Sequence, residues 1–259
     1  MAIIWTGLAP HPPIIVPEVG GTRCSEVQTT IDSMRTLARD LVAREPERLV
    51  LISPHTPRPG RGIGIWSGDE IHGDFSQFGA ANAGLSLPVA SAWLNTFRRH
   101  YPAVADLDQS LDHGAMVPLY FLVEAGWCGA TAVMGLPWDE NEEPRLLGEV
   151  LGTALEDEVP TAVLASGDMS HCLKPGAPAG YDEQGSVFDQ AFVACIKQAD
   201  YREAENLDPS LRERARQDVV ESCRVAWHAS GFADANHHFY SYEGPFGVGY
   251  TVMRFFGVD

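Results

Sequence analysis

Ala2-Ile3-Ile4-Trp5-Thr6-Gly7-Leu8-Ala9-Pro10-His11-Pro12-Pro13 opens the chain with an apolar run that stops at a proline-stiffened turn carrying a histidine. The same grammar recurs twice. Residues 48–53, Arg-Leu-Val-Leu-Ile-Ser, run into Pro54-His55-Thr56-Pro57, and residues 160–165 run into Ser166-Gly167-Asp168-Met169-Ser170-His171. Continuous apolar runs of this length read as strands covered on both faces, because a strand with one wet face alternates. Each run ends where a ligand site forms in an open α/β sheet, outside the carboxyl ends of the strands.

Working outward, residues 24–44 carry helical spacing through Val27, Ile31, Met34, Leu37, Ala38 and Leu41. Further helices are predicted over 89–100, 115–125, 143–156, 186–199 and, as one amphipathic element, 209–229. Strands are predicted over 62–67, 85–88 and 130–136, with a terminal pair over 237–242 and 248–256 about a Gly244-Pro245-Phe246-Gly247 turn. Strands alternating with helices predict a three-layer αβα fold. The last two strands lack an intervening helix, so the central sheet is predicted to be mixed. No linker, repeat or low-complexity segment divides the chain, and residues 1–259 are read as one domain.

Composition narrows the function. Hydrophobic residues are 45% of the 259, enough for a large core, and 18 basic against 35 acidic residues give a net charge of −17. That charge repels phosphate backbones and anionic lipid, which argues against nucleic acid and membrane surfaces as partners. The five cysteines are scattered without a Cys-x-x-Cys pair, as expected of free thiols in a cytoplasmic protein. No basic leader precedes the first strand, and no apolar run nears the ~20 residues that span a bilayer. There is no Gly-x-Ser-x-Gly elbow, P-loop or His-Glu-x-x-His motif.

The chemistry therefore rests on histidines. His11, His55 and His171 stand at three strand ends, and the flanking prolines hold the first two turns stiff, which suits a metal ligand. Glu243 lies between the two terminal strands among aromatic residues, where a carboxylate needs a partner such as a cation. Two imidazoles and a carboxylate suit a non-haem Fe(II) with open positions, and zinc accepts the same donors. His113, in Asp112-His113-Gly114, is a fourth candidate; a neighbouring acid makes it, like His171, a candidate base or hydrogen-bond donor.

Together Gly7-Leu8-Ala9-Pro10-His11-Pro12-Pro13, Ser53-Pro54-His55, Leu111-Asp112-His113-Gly114-Ala115-Met116-Val117-Pro118-Leu119 and Gly167-Asp168-Met169-Ser170-His171 resemble the class III extradiol ring-cleavage dioxygenases. The protocatechuate 4,5-dioxygenase catalytic subunit is the nearest comparison, and the DOPA dioxygenases and Memo-like proteins share the superfamily. The resemblance implies iron held by His11, His55 and Glu243, with zinc possible in its place. It implies His171 as acid/base and His113 as a contact for substrate or oxygen. It further implies a small catecholic substrate, O₂, and a homo-oligomer with or without a small companion subunit. The Asp168-x-Ser170-His171 segment also resembles the Memo-like branch, so a metal-binding or redox role without ring cleavage stays open.

Overall fold

The computed structural model describes residues 2–138, 142–155 and 157–258. In chain order these form strand β1 (Ile3–Ala9), helices α1 (Pro17–Gly20) and α2 (Gln28–Val42), strands β2 (Arg48–Ile52), β3 (Ile63–Trp66), β4 (Glu70–Phe75) and β5 (Ala80–Pro88), helix α3 (Ser91–His100), strand β6 (Val104–Leu107), helix α4 (His113–Glu124), strand β7 (Ala130–Met134), helix α5 (Glu143–Ala154), strand β8 (Thr161–Ser166), helices α6 (Glu183–Lys197), α7 (Tyr201–Glu205), α8 (Pro209–Ala215) and α9 (Val220–Ala229), and strands β9 (His238–Glu243) and β10 (Tyr250–Gly257). Glu156, the expected last residue of α5, lies outside the described residues.

Eight strands make the central sheet in the order β6-β3-β7-β2-β8-β1-β10-β9, while β4 and β5 form a separate hairpin. The sheet is mixed: β7, β2, β8 and β1 are mutually parallel, β10 runs antiparallel beside β1, and β9 pairs antiparallel with β10 and so points the same way as β1. Every residue of β2 and β8 is buried, because helices cover both faces. α2 packs on α4, α5 packs on α9, and α9 also lies against β8 and β1. α5 and α9 cross closely. A side chain at Gly148 or Gly152 would meet the Val225 or Ala229 carbonyl oxygen at 2.7 Å.

The order decides what meets what. β2, β8 and β1 are adjacent and parallel, so their carboxyl ends lie on one rim only about 5 Å apart strand to strand. Three turns separated by many residues of chain are thereby delivered to one place. One expected element is broken: residues 209–229 form two helices, α8 and α9, because Arg216 adopts a left-handed conformation at φ 55°. The Gln217 side chain then accepts from the Val219 and Val220 N–H groups and starts α9. No described helix is long and apolar enough to cross a membrane.

Candidate metal centre

His11 leaves β1 through the Pro10 turn and is 1% exposed. Its backbone N–H donates to Asp168 Oδ1 at 2.9 Å, which ties the β1 turn to the β8 turn. Its Nδ1 lies 2.9 Å from Ser166 Oγ, and that hydroxyl is 2.5 Å from the Gly114 carbonyl oxygen. A carbonyl only accepts, so the single serine proton goes to Gly114, and toward His11 the serine must accept. Nδ1 of His11 therefore carries hydrogen, and in the neutral ring Nε2 presents a lone pair to the cleft. Outer partners fix a metal-binding imidazole in this way.

His55 sits in the turn after β2, held through Asp112. Ser53 Oγ donates to Asp112 Oδ1 at 2.7 Å and Thr56 Oγ1 donates to Oδ2 at 3.1 Å. The same Asp112 caps α4 by accepting from the Ala115 N–H, so it fixes the His55 turn and the first residue of α4, His113, together. Gly114 is required here: a Cβ would come within 2.5 Å of Ser53 Oγ and 3.1 Å of the His55 ring.

His11 Nε2 and His55 Nε2 stand 3.0 Å apart. His113 completes a group whose ligand atoms all lie within 4.8 Å of one another. Two donors bonded to one ion at about 2.1 Å, at angles of roughly 90–110°, stand about 3.0–3.4 Å apart. The spacing of the two Nε2 atoms fits that requirement, and imidazole nitrogen is a common donor for iron and zinc. Asp218, from the α8–α9 connection, adds Oδ2 at 3.5 Å from His11 Nε2 and 3.2 Å from His55 Nε2.

Charge shapes the group. Burial alone would lower the His11 pKa, but the Asp168 and Asp218 carboxylates raise it to about 9. Asp218 has the reverse balance: burial would raise its pKa, yet the His11 and His55 rings hold it far below the usual carboxylate range. Burial raises the pKa of Asp168, with His11 opposing. His113 is pushed down to about 4, first by burial and then by the two neighbouring imidazoles, so it is neutral near pH 7.

The histidines open onto a cleft of about 340 Å³, lined also by Pro12, Pro13, Ile14, Arg23, Asp168, His171, Pro178, Phe246, Val248 and Tyr250. Ligand cavities run from roughly 300 to 1,000 Å³, so this one suits a small molecule. His171 Nδ1 is buried without a hydrogen-bond partner. The basic side chain of the lining is Arg23, whose guanidinium lies 4.6 Å from the Phe246 ring centroid. Arg58, which with Arg61 follows His55 in sequence, instead donates to the Pro137 carbonyl and lies over Trp138.

The structure brings together His11, His55 and His113, and sets His171 in the same cleft, but Glu243 is not among them. Its Oε1 accepts from the Thr30 N–H at 2.7 Å and the Thr30 hydroxyl at 2.6 Å. The physical reason lies in α2. Val27 occupies its N-cap position without a capping side chain, which leaves the Thr30 N–H needing an acceptor, and Glu243 supplies it across the fold. Glu243 also ends β9, two strand spacings or about 10 Å from β1. Cys172 is buried with Sγ on the Arg214 and Ala215 carbonyl oxygens. Sequence reading missed Asp218 and Ser166. Asp218 was hidden inside the predicted long helix; Ser166, ending an apolar strand two residues before Asp168, carried a weak positional signal.

Fold and site together define an α/β protein with a histidine-rich centre at the carboxyl ends of adjacent parallel strands. Residues 6–253 match the family described as the catalytic LigB subunit of aromatic ring-opening dioxygenase, and the chain belongs to that family. It is 28% identical over 264 residues to Protein CA_C1420 of Clostridium acetobutylicum, covering 95% of this chain and 56% of that protein. The chain thus spans about half the length of that curated relative. Among solved structures it resembles uncharacterized protein JW3007 from Escherichia coli K12, with a TM-score of 0.63, 14% identity and coverage of 97% of this chain and 98% of the other. That likeness concerns the fold.

Proposed function

We propose that this protein is a metal-dependent extradiol dioxygenase that opens a small catechol beside its two hydroxyls. The observation that carries the reading is the meeting of His11, His55 and His113 at the mouth of a cleft that also holds His171. His11 and His55 would hold the metal through Nε2. A bound Fe(II) would supply the redox chemistry that couples a closed-shell ring to O₂.

The chain's own residues do the rest. Pro12, Pro13, Ile14, Phe246 and Val248 give apolar surface against the faces of one ring and exclude water from it. Neutral His113 offers a hydrogen bond to a ring hydroxyl or to oxygen. His171, whose buried Nδ1 has no partner, accepts a hydroxyl proton through its ring and returns one as the ring opens. Both atoms of O₂ enter the product and one ring C–C bond breaks, so no outside reductant is consumed.

One observation favours a second reading, a Memo-like metal-binding or redox protein without ring cleavage: the carboxylate that matches the dioxygenase ligand, Glu243, is committed to Thr30. Fe(II) reconstitution without air, then oxygen-electrode screening over a catechol panel, separates the two. The first reading expects O₂ uptake one-to-one with a yellow product. Bound iron with no uptake on any catechol would select the second.

A further inference from the structure

One cation stands in the cleft of a strongly acidic chain. Among the described residues that line it, Arg23 is the one permanent positive charge and Asp168 the one acid. Asp168 is 4% exposed, and its Oδ1 is taken by the His11 N–H. Arg23 stands in the 3₁₀ stretch Gly21–Val27 that leads into α2. Its guanidinium lies over the Phe246 ring, and that contact steadies it at the cleft wall. Its Nε donates to Glu26 at 3.4 Å, but the two side chains are 58% and 55% exposed, so the pair holds weakly. The two terminal NH₂ groups have no partner among the described residues.

Tyr250 is the second observation. It opens β10, lines the same cleft and is 2% exposed, yet its hydroxyl bonds to no described residue. A polar group shut away from bulk water normally has a partner, so an orphan hydroxyl on a cleft wall calls for one from outside. The residue before it is fixed. Gly249 donates to the Ser170 carbonyl oxygen at 2.9 Å and accepts from the Met169 N–H at 2.8 Å, which holds Tyr250 beside the turn that carries His171. Burial, with Asp168 and Glu243, pushes the hydroxyl pKa above its usual range, and Arg23 pulls against them; the group stays protonated and donates.

We propose that Arg23 and Tyr250 form an anion-binding end of the cleft, and that the ring this protein opens carries a carboxylate there. A carboxylate offers two oxygens in one plane. The guanidinium matches that geometry with parallel N–H bonds, and the phenol adds a further donor. The net charge of −17 repels anions in general, so the attraction has to come from groups on the cleft wall. The assignment rests on reading the cleft as a ring-binding site.

The test is calorimetric binding of 2,3- and 3,4-dihydroxybenzoate, each against its neutral amide, to Zn(II)-loaded protein, or to metal-free protein if zinc does not load. Wild type is expected to favour at least one acid over its amide by about 10–100-fold, the range for hydrogen bonds to a charged group. Arg23→Gln is expected to abolish that preference, and Arg23→Lys to restore part of it. Arg58→Gln, which removes the same charge from outside the cleft lining, is expected to keep it. Tyr250→Phe is expected to weaken the preferred acid roughly tenfold. The denaturant midpoint of the ligand-free variant should hold or rise, because the hydroxyl has no bond to lose. A protein that takes up neither zinc nor any of the four rings fails the proposed function, and this assignment with it. Zinc uptake with no ring bound, or equal affinity for acid and amide in wild type, overturns the assignment and leaves the metal centre standing. A preference that survives Arg23→Gln, or that Arg58→Gln abolishes equally, refutes the role of Arg23. Wild-type affinity for the acid, or a lowered midpoint, in Tyr250→Phe refutes that of Tyr250.

Discussion

Two carboxylates stand near the same rim of the sheet and meet different fates. Asp218 is carried by an irregular connection, is locked to Asp168 through its own backbone, and faces two imidazoles. Glu243 ends a regular strand and is drawn to a helix start that lacks its own cap. The difference teaches that nearness to a site does not assign a ligand; the competing demand for each oxygen does. An uncapped N–H at a helix N-terminus, with the positive end of the macrodipole behind it, is a strong claim on a carboxylate.

The largest effect that sharpens the comparison belongs to the side Asp218 faces. His11→Ala removes the buried donor common to every version of the centre. Zn(II) affinity is expected to fall more than about 100-fold, beyond the range for outer partners, and ring-opening turnover to vanish with it. Metal analysis after dialysis checks this, and full retention of metal would place the centre elsewhere.

Protonation gives the next effect. With the His11 pKa near 9, a proton must leave before the ring can bind a cation at neutral pH. Metal affinity should rise about tenfold per pH unit, so about 100-fold between pH 6.5 and 8.5, with close to one proton released per ion. Calorimetry in buffers of differing ionisation heat reads that proton. In metal-free protein the sign reverses. The folded pKa exceeds the unfolded value of about 6.5, so the His11 contribution to stability is complete below pH 6.5 and is lost as pH rises through 9. Denaturant midpoints should fall over that window in wild type and stay flatter in His11→Gln.

Ser166→Ala tests the tautomer. Without the hydroxyl, His11 Nδ1 loses its acceptor, and metal affinity is expected to drop roughly 10–100-fold with the fold intact. An unchanged affinity would mean that Ser166 merely fills space between β8 and α4.

Much of this was legible in residues, and the failures have physical causes. The strand runs at 2–8, 48–53 and 160–165 were readable because burial on both faces leaves no alternation to misread, and their turns are marked by proline or glycine. Their adjacency was not written in any one of them; pairing of distant strands sets it. β6 escaped because it is a four-residue edge strand, mostly half-buried, with little apolar signal. The break between α8 and α9 escaped because Arg216 takes a positive φ without glycine, and the cap at Gln217 looks like an ordinary helical polar residue. Asp218 was lost with that break. The bond from Thr30 to Glu243 could not be read from the residues around Glu243, because the helix start it closes is in α2, more than two hundred residues away.

The smallest expected effect tests the other side of the comparison. Glu243→Ala leaves the Thr30 N–H and hydroxyl without their acceptor at the uncapped start of α2. Losing a helix cap costs about 0.5–2 kcal/mol, so a loss near 1 kcal/mol is expected in the denaturant midpoint, with no change in its slope. Glu243→Gln keeps an amide oxygen in place and should recover part of that loss, since the bond to the N–H survives and only the charge is gone. Metal content should not move in either variant. A ligand would show the opposite pattern, with metal lost and the metal-free protein no less stable than wild type. The paired readout therefore distinguishes a carboxylate that closes a helix from one that holds an ion, even though both stand at the same end of the sheet.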